Sequence, residues 1–509
     1  MKRPNIIVIM TDDHAAHSMS CYGSKINTTP HLDRIANEGM RFDNCFCTNA
    51  ICAPSRAVIL TGKHSHVNGV RTLDDHFDSS QNTFVTELKK AGYSTAMIGK
   101  WHLGQEEKNW PRGFDYWTIF PGQGDYFDPV MNEMGENKVF EGYATDIVTD
   151  QSINWLKERE NNQPFCLLCY HKAPHRPWQP DDKHKDMYKD VDIPIPTTFD
   201  DNYENRSEAA KRAKMRIVED MNSNDLKIET PANILEVGNA IPTNNEGDYA
   251  RKTNRLRIPM PDDLEGYTFT TRDGEEVKFD SLEELKNWKY QRYIKDYLRC
   301  VASVDDNVGR LLDYLKEEDL DQETIVIYTS DQGFFLGDHG WFDKRFMYEE
   351  SLRMPLLVKY PEKIKEGLST EQMVLNLDFA PTLLDFAGVA IPEDMQGKSF
   401  RRVLEEKEEE EFREDMYYRY WMHLAHHGVA AHYGIRTKKY KLIYYYGEAL
   451  GTAGSIDDST EPEWEFFDLV KDPCEMYNRY EDEAYSDVIK ELKQRLIQLK
   501  DEAGDKDKL

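Results

Sequence analysis

Asn5-Ile6-Ile7-Val8-Ile9-Met10-Thr11-Asp12-Asp13 is a continuous apolar run that stops on two carboxylates. An apolar stretch without polar alternation is the pattern of a strand buried on both faces, as in a largely parallel sheet. Sheets of that kind bind ligands beyond the carboxyl ends of their strands, so Asp12 and Asp13 are candidate site residues. Two adjacent carboxylates at such an edge are unfavourable unless something positive meets them.

Working outward, Ser94 to Ile98, Pro164 to Tyr170, Thr324 to Thr329 and Pro355 to Tyr360 read as four more core strands. Helical segments lie between them: a capped one from Thr29 toward Gly39, one over Thr83 to Ala91, a long one over Trp288 to Lys316, and one over Asp378 to Ala387. Alternation of this kind predicts an α/β fold, with a large and mainly parallel central sheet flanked by helices on both faces. Residues 181 to 282 are polar and poor in periodic apolar segments, and are expected to form a surface insertion that flanks a site. The α/β pattern ends near Phe400, and the acidic run Glu405 to Glu411 follows. We therefore assign residues 1–404 to a catalytic unit and 405–509 to a smaller α+β unit, with an antiparallel sheet and a closing helix from Ser486 to about Leu499.

The totals narrow the function. With 509 residues the chain can bury a large core. Its 64 Lys and Arg against 93 Asp and Glu give a formal charge of −29, which opposes nonspecific contact with nucleic acid or anionic membrane. No apolar run reaches the roughly 20 residues that span a bilayer. Neither does the amino-terminal stretch read as a signal peptide, so the cytoplasm is expected, or the periplasm or exterior if a leader has been removed. Eight cysteines are too sparse to imply a disulfide framework. Cys166 and Cys169 lie inside an apolar run and read as packing residues.

The strand ends carry the chemistry. Asp12 and Asp13 leave the first strand, Lys100 and His102 the second, His171 and His175 the third, and Asp331 and Gln332 the fourth. Four oxygen donors without Cys or His suit a hard divalent cation, calcium in preference to magnesium, and not zinc. Arg56, Lys100 and Lys344 add positive charge to the same edge, the setting for a tetrahedral oxyanion ester. Cys52-Ala53-Pro54-Ser55-Arg56 precedes a buried helical run, with Pro54 and Ser55 suited to the first turn and Ser55 able to cap it.

Taken together, Cys52-x-Pro54-x-Arg56 with Leu60-Thr61-Gly62, Asp12-Asp13, Gly99-Lys100-Trp101-His102, Ala173-Pro174-His175 and Ser330-Asp331-Gln332-Gly333 resemble the type I sulfatases of the alkaline phosphatase superfamily. The resemblance spans nearly the whole chain in the right order and implies an alkaline phosphatase-like fold. It implies that Cys52 is converted by a maturation enzyme to formylglycine, whose hydrate attacks sulfur and then releases sulfate. It also implies one calcium ion held by Asp12, Asp13, Asp331, Gln332 and the modified Cys52. Arg56 would support the hydrate, Lys100 and Lys344 would hold sulfate oxygens, His102 would serve release, and His175 would protonate the leaving alcohol. The family often carries Asn where this chain has Gln332, an equivalent oxygen donor on a longer arm.

The segments Gly340 to Ser351 and Trp288 to Leu298 are similar to those of bacterial N-acetylglucosamine-6-sulfatases. That likeness implies a sulfated mono- or oligosaccharide substrate, with Asp343 and Arg345 at sugar hydroxyls. His171 would support the site, and His426, His427 or His432 would complete it. Other readings of the same pocket are an arylsulfatase or a sulfatase for another sugar position, a phosphodiesterase or phosphonate hydrolase, and a noncatalytic glycan-binding protein.

Overall fold

The computed structural model describes residues 3–160, 163–229, 257–265, 267–407 and 411–507. Its centre is a ten-stranded mixed sheet. Five parallel strands form the middle, in the spatial order Thr324–Ser330, Asn5–Thr11, Phe165–Tyr170, Ser94–Gly99 and Tyr116–Ile119. Asn5–Thr11 is buried along its whole length, as its apolar centre Ile6 to Met10 requires. Leu356–Lys359, the fifth strand read from the sequence, runs antiparallel to Thr324–Ser330. Met40–Phe42 and Leu368–Thr370 extend that side, and a hairpin of Val130–Glu133 and Glu136–Val139 extends the other.

Register fixes the edge that matters. Thr11 pairs with Ser330, Met10 with Tyr170, and Gly99 with Tyr170, so four carboxyl ends lie level. Gly99 has φ 105°, and a Cβ there would fall 2.0 Å from the Tyr170 carbonyl oxygen, so only glycine lets the two chains leave the sheet side by side.

Two apolar clusters sandwich the sheet. One face packs on the helices Cys52–Thr61, Phe84–Lys90 and Phe379–Phe386, and the other on Pro30–Asn37, Ala144–Glu158 and Leu282–Glu317. The last of these runs 36 residues from an N-cap at Ser281, whose side chain accepts the Glu284 N–H. Among the described residues no helix is long and apolar enough to cross a membrane.

Of the segment expected to run over the surface, residues 230–256 and 266 lie outside the described residues, and the rest is partly core. Ile217, Met221, Leu226, Ile228, Ile258 and Phe269 are buried in the cluster that contains the long helix. Lys289 of that helix donates to the carbonyls of Val218 and Ile258, both at 2.6 Å, and pins the insertion down. The apolar residues are few and irregularly spaced because they lie in helices and strands of three or four residues and the links between them, which hides them from a periodicity reading.

Toward the carboxyl terminus, Asp415–Tyr420, His432–Thr437, Tyr440–Tyr445 and Glu463–Asp468 form a four-stranded antiparallel sheet. Helix Ser486–Glu502 covers it through Ile489, Leu492, Leu496 and Leu499. Within the acidic run before it, residues 408–410 lie outside the described residues.

Candidate active site

Cys52 is the first residue of helix Cys52–Thr61, all of which is buried, and Gly62 at φ 63° ends it. The helix has no side-chain cap. Ser55, read as a capping residue, instead donates its hydroxyl to the carbonyl oxygen of Asp331 and accepts the Asn376 amide at 2.8 Å. It therefore ties the helix to the strand end rather than closing the first turn. Burial pushes the Cys52 thiol up to about 11, outweighing the nearby Lys344. An unmodified Cys52 is thus a neutral thiol at physiological pH, despite its place at a helix start.

Behind Cys52 the carboxylates and cations interlock. Arg56 Nε donates to Asp331 Oδ2 at 2.9 Å and Nη1 to the Lys100 carbonyl at 2.5 Å. Lys344 Nζ donates to Asp13 Oδ1 at 2.5 Å, and Lys100 Nζ lies against Asp12 Oδ2. The Gln332 amide donates to Asp13 Oδ1 at 2.5 Å, and the Asp13 N–H donates to Asp331 Oδ1 at 3.3 Å. Burial, opposed by Lys344 and aided by Asp331 and Asp343, moves the Asp13 carboxyl up to about 6.

Three fully buried oxygens here, Asp12 Oδ1, Asp13 Oδ2 and Gln332 Oε1, accept no hydrogen bond among the described residues. A buried acceptor left unmatched costs about 1–3 kcal/mol. Ligand atoms of Asp12, Asp13 and His175 also lie within 4.8 Å of one another, a group able to hold a metal ion. The set is dominated by oxygen, and it fits a hard divalent cation.

A cavity of about 500 Å³ opens above this floor. Cys52, Gln123, Lys172, His175 and Arg176 line one part of it, and Asp343, Lys344, Arg345, His426 and His427 another. His175 Nδ1 donates to the Arg176 carbonyl at 2.7 Å, and Nε2 stands 3.8 Å from Asp13 Oδ2. Burial, with Lys100 and Lys344 beside it, holds its pKa well below the usual histidine value. Asp343 meets Arg345 through Oδ1 and His427 Nε2 through Oδ2 at 3.0 Å. Burial is overcome by Arg345, Lys344 and His427, and the Asp343 carboxyl sits well below its usual range. Asp13, His102, Asp343, Arg345 and His427 are all non-glycine residues with positive φ, a concentration of backbone strain typical of functional sites.

Several participants were not legible in the sequence. Gln123 accepts a hydrogen bond from Lys100 and donates to His102 Nε2 at 3.1 Å, bridging two strand ends. Arg176 Nε donates to Asp225 Oδ1 at 3.1 Å, which anchors the insertion at the cavity, where Asn222 and Asn224 also face it. Tyr418 of the antiparallel sheet accepts the Ala50 N–H at 3.1 Å and donates to the Arg345 carbonyl at 2.6 Å. No motif marks these residues, because each acts through tertiary contact.

Two of the residues expected at the sugar lie off the cavity. The His432 ring is packed against Phe346, Tyr418, Tyr420 and Tyr445, and its Nδ1 donates to the Ala430 carbonyl at 2.8 Å. His171 is buried, with Nε2 3.7 Å from Cys169 Sγ. Both belong to the packing around the site and do not line it.

The class of protein follows from family comparison. A family model described as "Sulfatase" matches residues 4–389, and one described as "N-sulphoglucosamine sulphohydrolase, C-terminal" matches 337–502. The chain belongs to the sulfatase family and is a sulfuric ester hydrolase. Among particular relatives, it is 45% identical over 516 residues to the N-acetylglucosamine-6-O-sulfatase of Bacteroides thetaiotaomicron, covering 99% of this chain and 88% of that one. A solved protein in complex with its substrate D-glucosamine-2-N,6-O-disulfate superimposes with a TM-score of 0.85 at 44% identity, covering 99% of both chains. The phosphonate monoester hydrolase of Agrobacterium radiobacter shares the fold, with a TM-score of 0.69 at 19% identity over 98% of this chain and 96% of that one.

Proposed function

We propose that the protein removes the 6-O-sulfate of N-acetylglucosamine or a related glucosamine, using calcium and a formylglycine made from Cys52 by a maturation enzyme. The observation that carries this reading is the position of Cys52. It lines the cavity with Asp343, Lys344, Arg345 and His427, within reach of the charges of Lys344, Asp331 and Asp13. The match to an N-acetylglucosamine-6-O-sulfatase and the match to a structure holding glucosamine-2-N,6-O-disulfate as substrate support the sugar assignment.

Calcium held by Asp12, Asp13, Asp331 and Gln332 would neutralise the carboxylates, and the hydrated aldehyde would supply the attacking oxygen and the means of releasing sulfate. The rest falls to side chains of the chain itself. Arg56 keeps Asp331 aligned through its 2.9 Å bond. Lys344, which lines the cavity with Cys52, and Lys100, which lies against Asp12 beneath it, would hold sulfate oxygens as charge builds on the leaving group. Asp343, locked by Arg345 and His427, presents a fixed carboxylate to sugar hydroxyls.

His175 delivers its proton from Nε2 to the leaving alcohol, since Nδ1 is committed to the Arg176 carbonyl. In the free pocket burial, and then Lys100 and Lys344, disfavour protonation of this ring. A bound sulfate ester offsets the two lysine charges, which favours a proton at Nε2. His102 Nε2 accepts from Gln123, which orients that ring for proton transfer during release.

The test is turnover of 6-sulfated N-acetylglucosamine beside 2-sulfated, aryl sulfate and phosphonate ester substrates, by wild type and Cys52→Ala. Preference for the 6-sulfate, lost in the variant, is expected. Unchanged turnover by Cys52→Ala, or a preference for another ester, would overturn the assignment. Mass spectrometry of the Cys52 peptide checks the conversion.

A further inference from the structure

Four lysine and arginine side chains line the cavity: Lys172, Arg176, Lys344 and Arg345. Three have a carboxylate of their own, Asp225 for Arg176, Asp13 for Lys344 and Asp343 for Arg345. The cations beneath the floor are matched in the same way, Arg56 by Asp331 and Lys100 by Asp12. Lys172 breaks the pattern. It is only 3% exposed, and among the described residues no carboxylate comes within ion-pair distance of its ammonium.

Among the described residues Lys172 rests on the face of Tyr126, with Nζ 5.0 Å from the ring centroid. Such a contact is weaker than an ion pair with a carboxylate, and enclosing an ammonium disfavours its charged form. Asp125, the foremost of the charges that favour its protonated form, is an exposed residue on the cavity lining. Burial brings the Lys172 pKa down to about 8, which still leaves it charged at neutral pH. A buried cation in this position destabilises the free protein unless its counter-ion enters from the cavity.

We infer that Lys172 binds an oxygen of a sulfate group carried by the substrate, as the cation of the cavity wall that is left without a carboxylate among the described residues. The inference rests on the sulfated-sugar reading above. Two sources offer the same chemistry, the 6-O-sulfate itself and a second sulfate on the sugar nitrogen.

Calorimetric titration of calcium-loaded Cys52→Ala protein separates them, with Lys172→Met or Lys172→Arg added. The probes are inorganic sulfate, N-acetylglucosamine 6-sulfate and glucosamine 2-N,6-O-disulfate. Lys172→Met is expected to weaken a sulfated sugar about tenfold or more, equivalent to ~1.4 kcal/mol, and Lys172→Arg to retain most of the affinity. Weakening on both sugars assigns the 6-O-sulfate, and weakening on the disulfate alone assigns the second. The ligand-free Lys172→Met protein is also expected to melt higher than its parent, because a buried charge has been removed. A merely structural lysine would do the opposite. Equal affinities in Lys172→Met and its parent overturn the inference, as does a parent that binds no sulfated probe. A parent that binds inorganic sulfate but neither sugar overturns the sugar reading instead, and the sulfate affinity of Lys172→Met then decides the role of Lys172.

Discussion

Arg56 Nε donates to Asp331 Oδ2 at 2.9 Å, and this bond joins the helix that starts at Cys52 to the end of strand Thr324–Ser330. The pair is fully buried, with Arg56 at 1% exposure and Asp331 at 0%. Each is costly without the other.

Arg56→Ala leaves the Asp331 carboxylate unmatched, and removing one partner of a buried pair costs about 3–5 kcal/mol. Urea unfolding of metal-stripped protein is expected to show a loss of that size. Arg56→Lys should recover little, because one ammonium cannot reach both Asp331 and the Lys100 carbonyl in place of the guanidinium fork. A loss below about 1 kcal/mol, the range of an exposed pair, would show the bond to be incidental.

Calcium added to stripped protein is expected to raise the melting temperature, since the site exists only in the folded chain. Linkage gives about 2.7 kcal/mol when calcium reaches a hundredfold excess over its dissociation constant. Gln332→Ala and Asp12→Asn each remove or weaken an oxygen that is buried without a donor, and should shrink the increment. A thermal scan with no calcium dependence would remove the metal from the mechanism.

His432→Phe tests a histidine that the sequence suggested for the sugar site. Burial pushes its pKa down to about 4, so between that value and the unfolded pKa of about 6.5 the unfolded chain binds a proton that the folded chain refuses. Stability contributed by the neutral ring is complete above pH 6.5 and is lost as pH falls toward 4. Phenylalanine in the same aromatic cage should flatten the stability curve there by about one proton, ~1.4 kcal/mol per pH unit, and leave kcat/KM unaltered. A large rise in KM would put His432 back in contact with substrate.

The sequence was informative where burial is two-sided. Ile6 to Met10 and Phe165 to Tyr170 are apolar without interruption because both sheet faces are covered, and their ends pointed to Asp12, Asp13 and His175. Helix Ala144–Glu158 was invisible: its buried face includes Ala144, Thr145, Thr149 and Ser152, small or polar residues that give little apolar period. The edge hairpin at 130–139 was missed as well, because its second strand is fully exposed. Lys172 escaped notice for another reason, since an unpaired lysine is recognised only once the pairing of every other cation is known.

Tyr418 gives the antiparallel sheet a part in the chemistry of the larger one. Its hydroxyl holds the backbone two residues before Cys52 and also the carbonyl of Arg345, so one phenol spaces the two walls of the cavity. A nascent chain that has completed all ten strands of the main sheet therefore still lacks the residue that ties Ala50 to Arg345, and loss of the segment from Asp415 onward is expected to impair catalysis rather than trim an appendage.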